Sequence, residues 1–166
     1  MPDPTTTDVD ILHYMFFPGG GIGRYLNEII RVQVDQGEFE IGLACSPNFE
    51  YLQNLPCSTF PSLMTLFSRN ALVRRSKFLM AQWRSPWSLC RLADQLKPKI
   101  VHFSNINYLT YASWRGKLQK LGVKMVATVH DVRRAKALIY RPYEERMLKQ
   151  FYRDCDALFV LSLIHI

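Results

Sequence analysis

The chain has 166 residues, 48% of them hydrophobic and 21% charged, the balance of one soluble globular domain. No apolar run approaches the ~20 residues that span a bilayer. The four cysteines, Cys45, Cys57, Cys90 and Cys155, are too scattered for a zinc site or a dense disulfide framework and fit a reducing cytoplasm. The net charge of +7 is regional. No acidic residue lies between Glu50 and Asp94, an interval holding Arg69, Arg74, Arg75, Lys77, Arg84 and Arg91, which points to an anionic partner.

Residues 1–8 are Pro- and Thr-rich without an apolar core, which predicts a flexible tail. Val9 to Tyr14 reads as a buried strand. It runs into Phe16-Phe17-Pro18-Gly19-Gly20-Gly21-Ile22-Gly23-Arg24-Tyr25, where four glycines lead into a helix whose apolar side carries Tyr25, Leu26, Ile29, Ile30, Val32 and Val34. Gly37 closes that helix as a C-cap. Phe39 to Cys45 predicts a second strand, paired in parallel with the first through a right-handed crossover. The signal from Phe49 to Ser68 is weak, with a short strand near Cys57–Phe60. Asn70 to Leu96 is helical but interrupted by Ser85-Pro86, which predicts two helices with Pro86 in the first turn of the second.

Ile100 to Phe103 predicts a central strand, with Ser104-Asn105 after it as a turn and possible N-cap. A helix over Tyr108–Leu121 stops at Gly122, and Val123 to Val129 is a strand ending in His130-Asp131. A helix over Arg141–Asp154 and a strand over Ala157–Val160 complete the pattern. The alternation predicts an α/β domain over residues 9–160, a Rossmann-like parallel sheet with helices on both faces. The last six residues, Leu161-Ser162-Leu163-Ile164-His165-Ile166, match a translation of the transposon end used in sequencing-library adapters. The expectation is that 161–166 is an artefact and that the gene continues past Val160.

The glycine-rich stretch offers unpaired amides and the positive end of a helix dipole, which suits a phosphate. A dinucleotide fingerprint fits poorly. Counted from Gly19 the sixth position is Arg24, and the second strand ends without a carboxylate for a ribose. No Gly-Lys-Ser/Thr follows, which excludes a P-loop. A merely tight turn is the plain alternative, although three consecutive glycines exceed what a turn requires. His130 and Asp131 end a strand at the same edge, where ligands of open α/β sheets bind. His102 and Asn105 mark that edge too, with a packing or loop-fixing role favoured for His102. The basic stretch interleaves Arg74, Arg75 and Lys77 with Trp83 and other apolar residues. It reads either as a surface for anionic lipid headgroups or as an ordinary solvated helix; no nucleic-acid signature accompanies it.

Taken together, the glycine-rich turn, Pro98-Lys99-Ile100-Val101-His102, Val126-Ala127-Thr128-Val129-His130-Asp131 and Cys155-Asp156-Ala157-Leu158-Phe159-Val160-Leu161-Ser162 resemble, in order, the N-terminal domain of family 4 glycosyltransferases, retaining enzymes of the GT-B fold. The resemblance implies a domain that mainly holds the acceptor (glycan, lipid or small molecule). The donor-holding C-terminal domain is missing here, so the fragment alone is expected to be inactive. It implies donor-diphosphate contacts at Gly20, Gly21, Ile22 and Gly23, and a catalytic place for His130 near the transferred sugar. It implies no metal and no cofactor beyond the nucleotide-sugar substrate. His102, Asn105 and Asp131 would form the acceptor side or cleft rim. A phosphate-ligand-binding module without catalysis and a nicotinamide-dependent oxidoreductase stand as alternatives.

Overall fold

A computed structural model describes residues 8–17, 19–66, 68–130 and 139–160. The tail through residue 7, Asp131 and the final hexapeptide lie outside the described residues. Among the described residues there are six strands: β1 (Ile11–Met15), β2 (Ile41–Cys45), β3 (Ser58–Phe60), β4 (Ile100–Phe103), β5 (Lys124–Val129) and β6 (Ala157–Val160). They form one all-parallel sheet in the order β3-β2-β1-β4-β5-β6. Four α-helices among the described residues join them: α1 (Gly20–Gln36), α2 (Ala71–Leu96), α3 (Tyr111–Leu121) and α4 (Arg141–Asp154). From β1 the chain steps outward to β2 and β3. Helix α2 then returns it past β1 to β4, and the order runs the other way. The β1/β4 seam is therefore the switch point where the carboxyl ends of strands diverge around a crevice.

Strand residues alternate between two cores, as a period of two requires. Ile11, Met15, Ile41, Leu43 and Cys45 pack with Leu26 and Ile30 of α1. Leu12, Tyr14, Val101, Phe103, Met125 and Ala127 pack on the other face with Leu89, Trp114 and Phe151. Helices therefore lie on both faces, as the sequence predicts, and only the edge strand β6 stands out from this cover among the described strands. All four residues of β6 are exposed, Phe159 by 56%. Among the described residues no helix is long and apolar enough to cross a membrane.

The sequence predicts two helices between Asn70 and Leu96, and the structure corrects this. A single helix of 26 residues runs through Pro86. Its start is fixed by Asn70, whose side chain accepts from the amides of Leu72 and Val73. Proline has no N–H, so the carbonyl four residues earlier, that of Gln82, loses its helical donor. Thr110 Oγ1 donates to that carbonyl instead. Asn107 Nδ2 approaches the neighbouring Ala81 carbonyl at 3.4 Å. Tertiary donors thus keep the helix continuous where local chemistry would break it. Thr110 is buried, so Thr110→Val leaves the Gln82 carbonyl without its partner at little change in volume. The variant should lose about 1–2 kcal/mol of stability, seen as a lower urea midpoint; an unchanged midpoint would show that the carbonyl needs no replacement donor.

Candidate functional site

The site begins where β1 ends. The Phe16 amide donates to Asn105 Oδ1 at 2.8 Å, which fixes the chain just before the glycines. Gly20 has φ +78°, a left-handed conformation that costs other L-residues ~1–2 kcal/mol. Helix α1 starts there, earlier than a separate glycine loop would allow. Counted from the cap at Gly19, the amides of Gly19, Gly20, Gly21 and Ile22 have no partner within the helix.

Glu50 occupies this helix end. Its Oε2 accepts from the Gly20 amide at 3.3 Å, and a Cβ on Gly19 would overlap the same carboxylate. An anion thus sits at the positive end of the α1 dipole. Sequence reasoning missed Glu50. The available signal was that β1 and β2 are neighbouring parallel strands, so the loop after β2 returns to the same edge. Gly23 is the correction in this group. Its amide can already reach back to the Gly19 carbonyl, and its missing side chain serves packing, since a Cβ there would stand 3.3 Å from the Phe49 ring.

His130 follows β5 and lines a cavity of about 390 Å³ together with Phe17, Ile22, Ser104, Asn105 and Tyr152. Phe17 and Ile22 also line the hollow that holds Gly19, Gly20, Gly21 and Glu50. Tyr25 of α1 meets the His130 ring edge-on, with centroids 5.6 Å apart. The start of α1 and the imidazole from β5 therefore share one rim. Among the described residues no three His, Cys, Asp or Glu side chains group as metal ligands.

The family model described as Glycosyltransferase Family 4 matches residues 19–163. The chain belongs to glycosyltransferase family 4. Comparison with curated proteins gives no match. Among solved structures, it is similar to MurG of Acinetobacter baumannii, at 13% identity and a TM-score of 0.58, over 95% of this chain and 42% of that one. It is also similar to Glycyrrhiza uralensis UGT73P12 complexed with glycyrrhetinic acid 3-O-monoglucuronide, at 10% identity and a TM-score of 0.62, over 94% of this chain and 44% of that one. A UDP-glucose: anthocyanidin 3-O-glucosyltransferase in complex with UDP gives 10% identity and a TM-score of 0.52, over 94% of this chain and 53% of that one. At these identities the likeness shows the fold, that of the GT-B N-terminal domain. The chain spans about half the length of these structures or less.

In this family 4 domain His102 is not on the rim. It lies within β4, 5% exposed, on the α1 face of the sheet. Strand alternation explains this: Phe103 turns to the opposite core, so His102 cannot face the same side. His13 Nε2 donates to Gln33 Oε1 at 2.8 Å, which leaves His13 Nδ1 as acceptor for His102 Nδ1–H, also at 2.8 Å. His102 Nε2 then accepts from Thr128 Oγ1 at 2.9 Å. This chain of neutral rings is complete without a ligand.

Burial pushes His13 down to about 4 from 6.5. Burial, then the neighbouring His13 and His130, pushes His102 down to about 3. Both folded values lie below the unfolded one, so the unfolded chain takes up protons that the folded chain refuses. The contribution to stability is level above the unfolded value and is lost as pH falls toward about 4 and then about 3. Two cations cannot share the Nδ1 contact, so both losses add. The urea midpoint should fall between about pH 7 and about pH 5, and the fall should shrink in His13→Gln. A flat profile in the parent would contradict a buried neutral pair.

Proposed function

We propose that the protein transfers a sugar from a nucleotide-sugar donor to an acceptor with retention of configuration, and that this chain supplies the acceptor side of the cleft. The supporting observation is the shared rim. The amides at the start of α1, which have no partner within the helix, and the His130 imidazole meet across Ile22 and Tyr25, so one sugar diphosphate can touch both. The amides and the dipole act on the departing diphosphate, where negative charge grows in the transition state. His130 holds the transferred sugar in reacting position. A second domain, in the part of the relatives that this chain does not span, supplies the remaining grip on the donor. No metal ion or cofactor is required in this scheme.

Glu50 gives the scheme an electrostatic step. Its carboxylate must leave the helix end before a phosphate can take it. In the full-length enzyme, His130→Ala should lower turnover on the order of a hundredfold, while Glu50→Gln should lower the KM for the donor. Unchanged turnover would remove His130 from the reaction. A KM that rises in Glu50→Gln would show that the carboxylate assists the donor instead of competing with it.

The outer face of α2 fits a peripheral contact with anionic lipid at the cytoplasmic side of a membrane. Leu72, Leu79, Met80 and Trp83 are exposed by 77%, 46%, 48% and 55%. Their spacing places them on one stripe of the helix, flanked by exposed Arg75 and Arg84, while exposed Arg74 lies on the far side of the helix and Lys77 is half-buried. Apolar insertion and headgroup attraction would act together. Sedimentation with vesicles containing phosphatidylglycerol should be salt-sensitive and should drop when Arg74 and Arg75 are reversed to Glu. Equal sedimentation of the reversed variant would contradict a lipid-facing α2.

A further inference from the structure

We infer that His13 and His102 are positioning residues for His130: they form a directed hydrogen-bond relay from Gln33 of α1 to Thr128 of β5, and this relay holds the end of β5 against α1. The inference rests on the transferase reading and adds two residues to its machinery. The relay crosses the sheet. His13 and His102 are register partners on β1 and β4, and His102 pairs with Val126 of β5. Thr128 is the next β5 residue on that face. The links measure 2.8 Å from His13 to Gln33, 2.8 Å between the two rings and 2.9 Å from His102 to Thr128.

Both ends of the relay lie on elements that build the site. Gln33 is on α1, whose first turn carries the amides proposed to meet the diphosphate. Thr128 stands two residues before His130. Tyr25, Ile29 and Gln33 recur at four-residue intervals, which puts them on one side of α1. With His13 and His102 they line one hollow over the sheet. Helix α1 therefore meets the histidines at two defined points, Gln33 on the His13 ring and Tyr25 edge-on to the His130 ring. Two contacts fix the helix where one would leave it free to turn.

Packing alone does not account for two histidines here. The other buried residues of this face on β1 and β2, Ile11, Met15, Ile41, Leu43 and Cys45, are apolar. An apolar pair at 13 and 102 would avoid the cost of burying polar rings. It would also lose direction, because apolar contact has none, whereas a hydrogen bond tolerates only about half an ångström and a limited angle. Gln33 sets the direction. Its Oε1 only accepts, so His13 carries its proton on Nε2 and His102 on Nδ1, and the Thr128 hydroxyl donates to His102 Nε2. That bond selects the side-chain rotamer of Thr128 and so steadies the backbone that leads to His130. The precision matters, since a misplacement of about 1 Å at a reacting centre costs on the order of a hundredfold.

Nitrogen-15 NMR of the histidine rings in the full-length protein tests this, with UDP, GDP and dTDP as nucleotide probes. The parent should show His13 protonated on Nε2 only and His102 on Nδ1 only. Thr128→Val removes the hydroxyl at nearly the same shape and should shift the His130 ring signals; Thr128→Ser should leave them as in the parent. Gln33→Leu changes neither His102 nor its direct partners. It should nevertheless release the fixed tautomers of both relay histidines and shift His130 too. Gln33 is half-buried on a helix, where leucine is a good former, so this variant stays testable if Thr128→Val fails to fold. A purely structural role would lower the thermal midpoint of each variant and leave the His130 ring of the folded protein where it was. Unmoved His130 signals in either folded variant, a Thr128→Ser ring that shifts like Thr128→Val, or the opposite tautomers in the parent would overturn the inference. Nucleotide binding with an unmoved His130 sinks the relay alone. A His130 that responds to the variants, while no nucleotide shifts the amides of Gly20 to Ile22, sinks the transferase reading instead.

Discussion

One seam holds the functional edge together. The end of β1 is tied to the loop after β4 by three hydrogen bonds. The Ser104 amide donates to the Tyr14 carbonyl at 3.2 Å, the Phe16 amide to Asn105 Oδ1 at 2.8 Å, and the Tyr14 hydroxyl to Asn107 Oδ1. These bonds lie at the point where the strand order reverses. They set where α1 begins and where the loop after β4 turns, and β5 ends beside them. Without the seam, the amides of α1 and the ring of His130 would have no common reference. A parallel α/β sheet offers such a crevice by topology; here side-chain amides hold it to one geometry.

The seam also separates two electrostatic compartments a few residues apart. At the start of α1, orphan amides and the helix dipole favour an anion, and Glu50 supplies one from the chain itself. On the other side of Ile22, the described residues lining the cavity are mostly apolar, with Ser104, Asn105, Thr128 and His130 as polar members. Part of the basic excess of the chain lies on α2, which carries Arg74, Arg75, Lys77, Arg84 and Arg91.

Much of the fold was legible because local chemistry and tertiary structure agree. Gly37 and Gly122 end their helices in the left-handed conformation, at φ +67° and +69°. The apolar runs at Ile100–Phe103 and Ala157–Val160 are strands with those bounds. The failures share one cause, namely partners that are distant in sequence. Pro86 reads as a break because nothing local shows that Thr110 will serve the Gln82 carbonyl. For His102 the packing role favoured over a place on the rim agrees with its burial, but nothing local shows that His13 and Thr128 are its partners. Glu50 is an ordinary surface carboxylate until the loop after β2 is placed beside Gly19.

The central claim is that one ligand bridges the start of α1 and the end of β5. A crystal structure of the full-length protein with its nucleotide-sugar tests this most directly. The account predicts a phosphate oxygen on the amides of Gly20 to Ile22, the Glu50 carboxylate swung away, and the sugar within hydrogen-bonding distance of His130. A diphosphate bound elsewhere, with Glu50 still seated on Gly20, would contradict it.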